Sequence, residues 1–267
     1  MQPTLWPNGP ALLVVGHPGH ELRVHGWLEA ARPLVAVLTD GSGHTGRSRV
    51  ASTAQLLERA GATPSAIFGR LRDTDLYRAL LDQDFNLFDG LAHELADVII
   101  SHRIHVIAAD DAEGYNPTHD VCRLLVNTAV QLASPPGGVT NLGFALMTHP
   151  RATASAHHTG ISRMFLDDAA LDRKFMAARH YPEMAAEVAA ARQAWGDDAF
   201  RVETFRHVPV NDTWMPGDEP PFYERHGARR VNDGLYDEVI RYERHMRPLA
   251  DVLAARAAVG VPRSAAS

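Results

Sequence analysis

Five consecutive apolar residues, Ala11–Val15, stop at Gly16 and give way at once to the polar stretch His17-Pro-Gly-His-Glu21. A short apolar run bounded by turn residues suits a strand covered on both faces, so the pattern predicts a buried strand with the polar cluster at its carboxyl end. Residues 22–31 follow as a helix, ended by Arg32-Pro33 because proline disfavours helical geometry in its predecessor. The alternation then repeats. Residues 34–39 read as a second buried strand and 48–60 as a helix stopped by Gly61. A short third strand is predicted at 65–68, a long amphipathic helix at 85–102, a strand at 105–109 and a helix at 120–133. Residues 142–147 read as the last strand.

The second half is less regular. Residues 134–138 (Ser-Pro-Pro-Gly-Gly) read as a linker, and 148–161, with His157-His158, as a loop. Residues 166–195 have an Ala-rich helical pattern broken at Pro182, 212–221 read as irregular surface, and 233–254 as a final amphipathic helix before a frayed tail at 259–267. Strand, helix, strand, helix is the doubly wound signature. The expectation is an α/β fold with a mostly parallel, Rossmann-like sheet and helices on both faces. Residues 1–150 would form the core that carries the site, and 151–267 a helical extension packed on the same domain.

Composition adds exclusions. A formal charge of −6 with no run of Lys and Arg argues against a nucleic-acid partner. The first residues, Met1-Gln-Pro-Thr-Leu-Trp, lack a signal-peptide layout, and no apolar stretch approaches a membrane span, so a soluble cytoplasmic protein with no membrane partner is expected. Cys122 is the lone cysteine, which rules out an intrachain disulfide and a Cys-based zinc cluster, whereas fifteen histidines leave ample imidazole.

The chemistry gathers in two loops, each at the carboxyl end of a strand, the edge where open α/β sheets bind ligands. The first holds His17, His20 and Glu21. The second, after 105–109, runs Asp110-Asp-Ala-Glu-Gly-Tyr-Asn-Pro-Thr-His119. His17 and His20 are three apart and aim to one side, and His119 offers a third nitrogen; three protein ligands with one open position is the arrangement of a catalytic zinc site.

The order of strand, His-Pro-x-x-Glu and helix, with a His-bearing loop about a hundred residues on, resembles the LmbE/PIG-L family of metal-dependent N-acyl deacetylases. The family's first motif is His-Pro-Asp-Asp-Glu and its second His-Pro-Asp-His. Here they read His17-Pro18-Gly19-His20-Glu21 and Asn116-Pro117-Thr118-His119. The resemblance implies a zinc ion, or another divalent metal, at His17, His20 and His119. With histidine in place of the family's aspartate at position 20 all three ligands are neutral, which leaves the metal a stronger Lewis acid.

The same comparison exposes a gap. The family's general base is its first Asp, and Gly19 stands in that place. Asp111 is the first candidate to replace it and Glu21 the second, or both orient a histidine. Asn116 replaces a histidine that stabilises the tetrahedral intermediate and can still donate a hydrogen bond to an oxyanion. Tyr115, Arg49 and Asp110 are the candidate substrate contacts. Residues 222–226 and 241–245 leave two readings open, a lid or homo-oligomer surface, or a solvated helix face with aromatic anchors. The implied activity is removal of an acyl group from an amide nitrogen of a small polar or sugar-like metabolite. The alternative is a metabolite-binding protein without hydrolysis.

Overall fold

The computed structural model describes residues 9–134, 138–152, 160–209, 211–212, 215–217 and 219–260. Residues 1–6, the centre of the 134–138 linker, His157-His158 and the tail beyond 260, all singled out in the sequence, lie outside them. The predicted α/β architecture is present. Strands β1 (Ala11–Val15), β2 (Leu34–Thr39), β3 (Thr63–Leu71), β4 (Val106–Asp110), β5 (Thr140–Phe144), β6 (Ile161–Phe165) and β7 (Val202–His207) form one sheet in the order β3-β2-β1-β4-β5-β7-β6. The pairs β3-β2, β2-β1, β1-β4 and β4-β5 are parallel, whereas β7 runs antiparallel to both β5 and β6.

The helices are α1 (His25–Ala31), α2 (Val50–Ala60), α3 (Asp73–Leu81), α4 (Phe85–Ser101), α5 (Pro117–Ala133), α6 (Asp168–Arg179), α7 (Ala185–Trp195), α8 (Phe222–Asn232) and α9 (Arg247–Gly260). Two apolar clusters cover the two faces of the sheet. One packs Leu12, Val14 and Ile107 against α4, α5 and α9; the other packs Leu13, Val15 and Ala108 against α1 and α2. The central strands β1 and β4 are wholly buried, which is why they read as unbroken apolar runs rather than alternating ones.

Three differences from the sequence pattern have physical causes. Strands β6 and β7 come from beyond residue 150 and extend the sheet, so the later part of the chain is more than a helical extension and β5 is not the last strand. Edge strand β6 buries chiefly Ser162, so no clean apolar alternation announces it. The final helix begins at Arg247, not at 233: Gly234 takes a left-handed φ of 70° that ends α8, and Arg241 is extended. Pro248 has no N–H to donate to the Arg244 carbonyl, which accepts from Gln83 Nε2 at 2.8 Å instead, and residues 242–246 widen into a π-type turn.

Between β1 and β4 the order of parallel strands reverses. The carboxyl ends of β1, β2, β3 and β4 face the crevice that such a reversal opens, and the loops after β1 and β4 are the two motif loops.

Candidate active site

His17 leaves the end of β1 and its ring is held from behind by two further strand ends. Nδ1 lies 2.8 Å from Thr39 Oγ1, at the end of β2, and 3.0 Å from Asp73 Oδ1, at the start of α3. Thr39 Oγ1 donates to the carbonyl of Gly16 at 2.9 Å, so it can accept from Nδ1. His20 opens the short 3-10 turn after Gly19, and its Nδ1 stands 2.7 Å from Asp110 Oδ2, at the end of β4. That oxygen also accepts the backbone N–H of Gly16 at 2.7 Å. His119 sits in the first turn of α5. Asn116 caps that helix by accepting the N–H of Thr118 at 2.8 Å, and Pro117 fills the first helical position, where no N–H is needed.

The three imidazoles meet. Ring centroids are 5.3 Å apart for His17 and His20, 5.6 Å for His17 and His119, and 4.7 Å for His20 and His119. His17 and His119 are 5% and 4% exposed, yet His17 Nε2 and His119 Nδ1 have no hydrogen-bond partner. Orphaned buried nitrogens of this kind are rare in a protein interior and mark a place where a further group belongs. Burial lowers the pKa of His20 and of His119, in His119 strongly and with help from the other two rings, so both are neutral near pH 7 and ready to act as ligands. Burial alone would raise the Asp73 carboxyl, but the bonds from His17 and the Gly43 N–H outweigh it and hold Asp73 ionised, well below the usual carboxylate range.

The donor set therefore suits a metal in kind: three imidazoles, two of them backed by carboxylates that fix tautomer and ring orientation. Two buried carboxylates also offset the charge of a divalent ion. Among the described residues no group of three or more His, Cys, Asp or Glu side chains has its donor atoms converging as in a formed metal site.

The cluster forms part of the wall of a cavity of about 1350 Å³. Asn116, Tyr115 and Arg49 line it with the histidines. Asn116 Oδ1 accepts from the Tyr77 hydroxyl at 3.3 Å as well as from Thr118, which fixes the amide and leaves its N–H group as the free end. Tyr115, 38% exposed, stacks on Phe222 with centroids 4.6 Å apart and planes 3° from parallel. Residues 222–226 are thus the start of α8 and close one side of the cavity.

Three sequence candidates are brought to other places. Asp111 is buried in a two-pronged ion pair with Arg206 of β7, at 2.6 and 2.8 Å, and does not line the cavity. Glu21 is fully buried; it accepts the Gly19 N–H at 2.8 Å and the Thr53 hydroxyl at 2.7 Å, and burial raises its pKa. Asp110 supports His20 rather than facing the cavity. Asp73, Thr39 and Tyr77 were missed. Asp73 follows the third strand as the motif loops follow theirs, and that shared position was the available signal.

No family model and no curated protein matches the chain in sequence. Solved structures do match. The A40926 pseudoaglycone deacetylase Dbv21 aligns at 19% identity with a TM-score of 0.56, over 77% of this chain and 99% of that one. This chain shares the α/β fold of that structure. A deacetylase of teicoplanin biosynthesis aligns at 16% identity and a TM-score of 0.55, over 76% of this chain and 100% of its own. The zinc-inhibited form of teicoplanin deacetylase Orf2 aligns at 14% and 0.53, with the same coverage. Among the described residues no helix is long and apolar enough to cross a membrane.

Proposed function

We propose that this chain is a metal-dependent amide hydrolase that removes an acyl group from nitrogen, with His17, His20 and His119 as the protein ligands of a divalent metal, zinc first. The observation that carries the reading is the meeting of three buried imidazoles from two strand-end loops, with His17 Nε2 and His119 Nδ1 unpartnered, at the wall of a large cavity. The shared fold agrees with it.

A metal held there would supply positive charge that polarises an amide carbonyl and acidifies water. The chain's own residues do the rest. Asp73 and Asp110 accept from Nδ1 of His17 and His20 and so direct each ring's other nitrogen away from them. Asn116, its oxygen occupied by Tyr77 and Thr118, presents its N–H group to the oxygen of an attacked carbonyl; a well-aimed donor of this kind contributes about 3 kcal/mol in a transition state. Neither Asp111 nor Glu21 is carried forward as the proton acceptor, because each is committed elsewhere.

Gly19 favours a second reading, metabolite binding without hydrolysis. The space that a side chain at position 19 would need is filled by Met184: a Cβ there would stand 2.7 Å from its sulfur. The experiment that separates the two incubates zinc-loaded protein with N-acetyl- and longer N-acyl-glucosamines and follows release of free amine. Chelator-sensitive amine release supports hydrolysis. Ligand-induced thermal stabilisation with no amine supports binding alone and rejects it.

A further inference from the structure

The cavity is larger than one compact N-acetyl group can use. Ligand pockets hold about 300–1,000 Å³, and this one holds about 1350 Å³. Its two sides differ in chemistry. The wall around α8 is aromatic and polar, with Tyr115, Phe222, His226, Arg230 and Tyr236. A second part of the wall comes from α6, α7 and the turn between them, where Phe175, Met184, Val188, Ala191 and Trp195 line the cavity.

Helix α7 is unusual in that none of its residues is buried, although Val188, Ala191 and Trp195 face the cavity. Val188, Ala191 and Trp195 are half-buried: each packs in part on the protein's apolar clusters and also lines the cavity. The cations beside that wall are already spent within the protein. Arg192 pairs with Asp197 through two bonds of 2.7 and 2.6 Å and lies 4.4 Å over the Phe175 ring. Lys174 donates to Glu203 and to the Arg23 carbonyl, both at 2.8 Å. Arg23 donates to the carbonyls of Ala145 and Thr148 at 2.9 and 2.7 Å. Glu187 is the remaining charged residue of α7 on the cavity, and it is exposed. A wall of Ala, Val, Met and aromatic carbon with its polar groups committed offers a ligand burial of apolar surface and little else.

The same cavity reaches the histidine cluster, with Met184 seated over Gly19 between the two. We infer that the inner face of α7 is a subsite for the aliphatic chain of an N-acyl substrate, so that the acyl group cleaved is a medium or long saturated chain and the amine portion lies on the α8 side. The assignment of the chain as the acyl arm rests on the hydrolase reading above; the subsite itself does not.

The test is calorimetric titration of the full chain with butanoate, hexanoate, octanoate and decanoate. Burying one methylene contributes about 0.8 kcal/mol, which converts to a gain in affinity of up to about fourfold per carbon. The wild type should tighten at each step to at least octanoate. A variant on the edge strand away from the cavity, Phe165→Ser, should keep that slope, and Ala191→Trp, which fills the subsite, should lose it. Ala191 packs in part on the Leu171, Phe175 and Phe200 cluster, so circular dichroism checks the fold of the variant; if it shows lost structure, Ala190→Trp, at an exposed position that lines the same cavity, serves in its place. Affinity that does not change with chain length, or a slope unaltered in the filled variant, overturns the subsite. A chain-length slope in protein that releases no amine from any N-acyl-glucosamine retains the subsite and rejects the hydrolase.

Discussion

Met184 and Gly19 occupy each other's space: a Cβ at Gly19 would meet the Met184 sulfur at 2.7 Å and its Cγ at 2.9 Å. Gly19 also holds φ at 106°, where side-chain-bearing residues are strained. The absence of a side chain at this position is therefore matched by the surrounding packing. Gly19→Asp is expected to destabilise the chain by about 1–3 kcal/mol, chiefly through its backbone conformation, and to gain no hydrolysis. Gly19→Asp with Met184→Ala should recover part of that loss. Thermal melts of the two variants beside the wild type check this; a single variant as stable as the wild type contradicts it.

Asp110 reaches His20 across ninety residues of sequence and holds its ring at 2.7 Å. Asp110→Asn keeps an acceptor for the Gly16 N–H but removes the charge that fixes the imidazole. Zinc affinity should fall about 10–100-fold, read by competition with a chromophoric chelator. Unchanged affinity would remove Asp110 from the support of the site.

Asp111 belongs to the frame of the sheet. Its carboxylate joins the β4 end to Arg206 of β7, which Asp212 also contacts at 2.7 Å. Truncation of one partner of a buried ion pair leaves the other uncompensated, so Asp111→Ala should cost about 3 kcal/mol in urea denaturation and leave zinc affinity within about twofold of the wild type. Lost metal binding with retained stability would return Asp111 to the site.

Glu113 gives a pH signature. Burial raises its carboxyl to about 7, against the opposing N–H bonds from Leu146 and Met147. The folded chain then keeps a proton that the unfolded chain, with a carboxyl near 4.3, releases earlier. Stability from this group is fully present below about pH 4 and is lost as pH rises to about 7. Relative to the wild type, Glu113→Gln should gain on the order of 1–2 kcal/mol between pH 4 and pH 8. Stability curves with equal slopes would contradict it.

How much of this was legible in the sequence depends on where the information lies. Val14 and Ala108 are buried on central strands, so their runs announce strands, and the turn residues after them announce the loops; His17, His20 and His119 follow from that alone. Partners came only with the fold. Nothing local in the sequence says that Asp110 turns to His20 while Asp111, its neighbour, turns to Arg206, because successive residues at a strand end point to opposite faces. Helix α3 was missed because its apolar signal is short, with Leu76, Ala79 and Leu80 buried; of α8 the sequence offers only a helix face at 222–226, as one of two readings, because the helix buries only Tyr223 and Gly227.

The central claim is that three imidazoles hold one metal, and elemental analysis of the purified protein tests it most directly. After supply of zinc and removal of excess, the wild type is expected to retain about one zinc per chain, and His17→Ala and His119→Ala to lose nearly all of it. A wild type that retains no metal, or a His119→Ala variant that keeps its full complement, would contradict the site and the hydrolysis proposed for it.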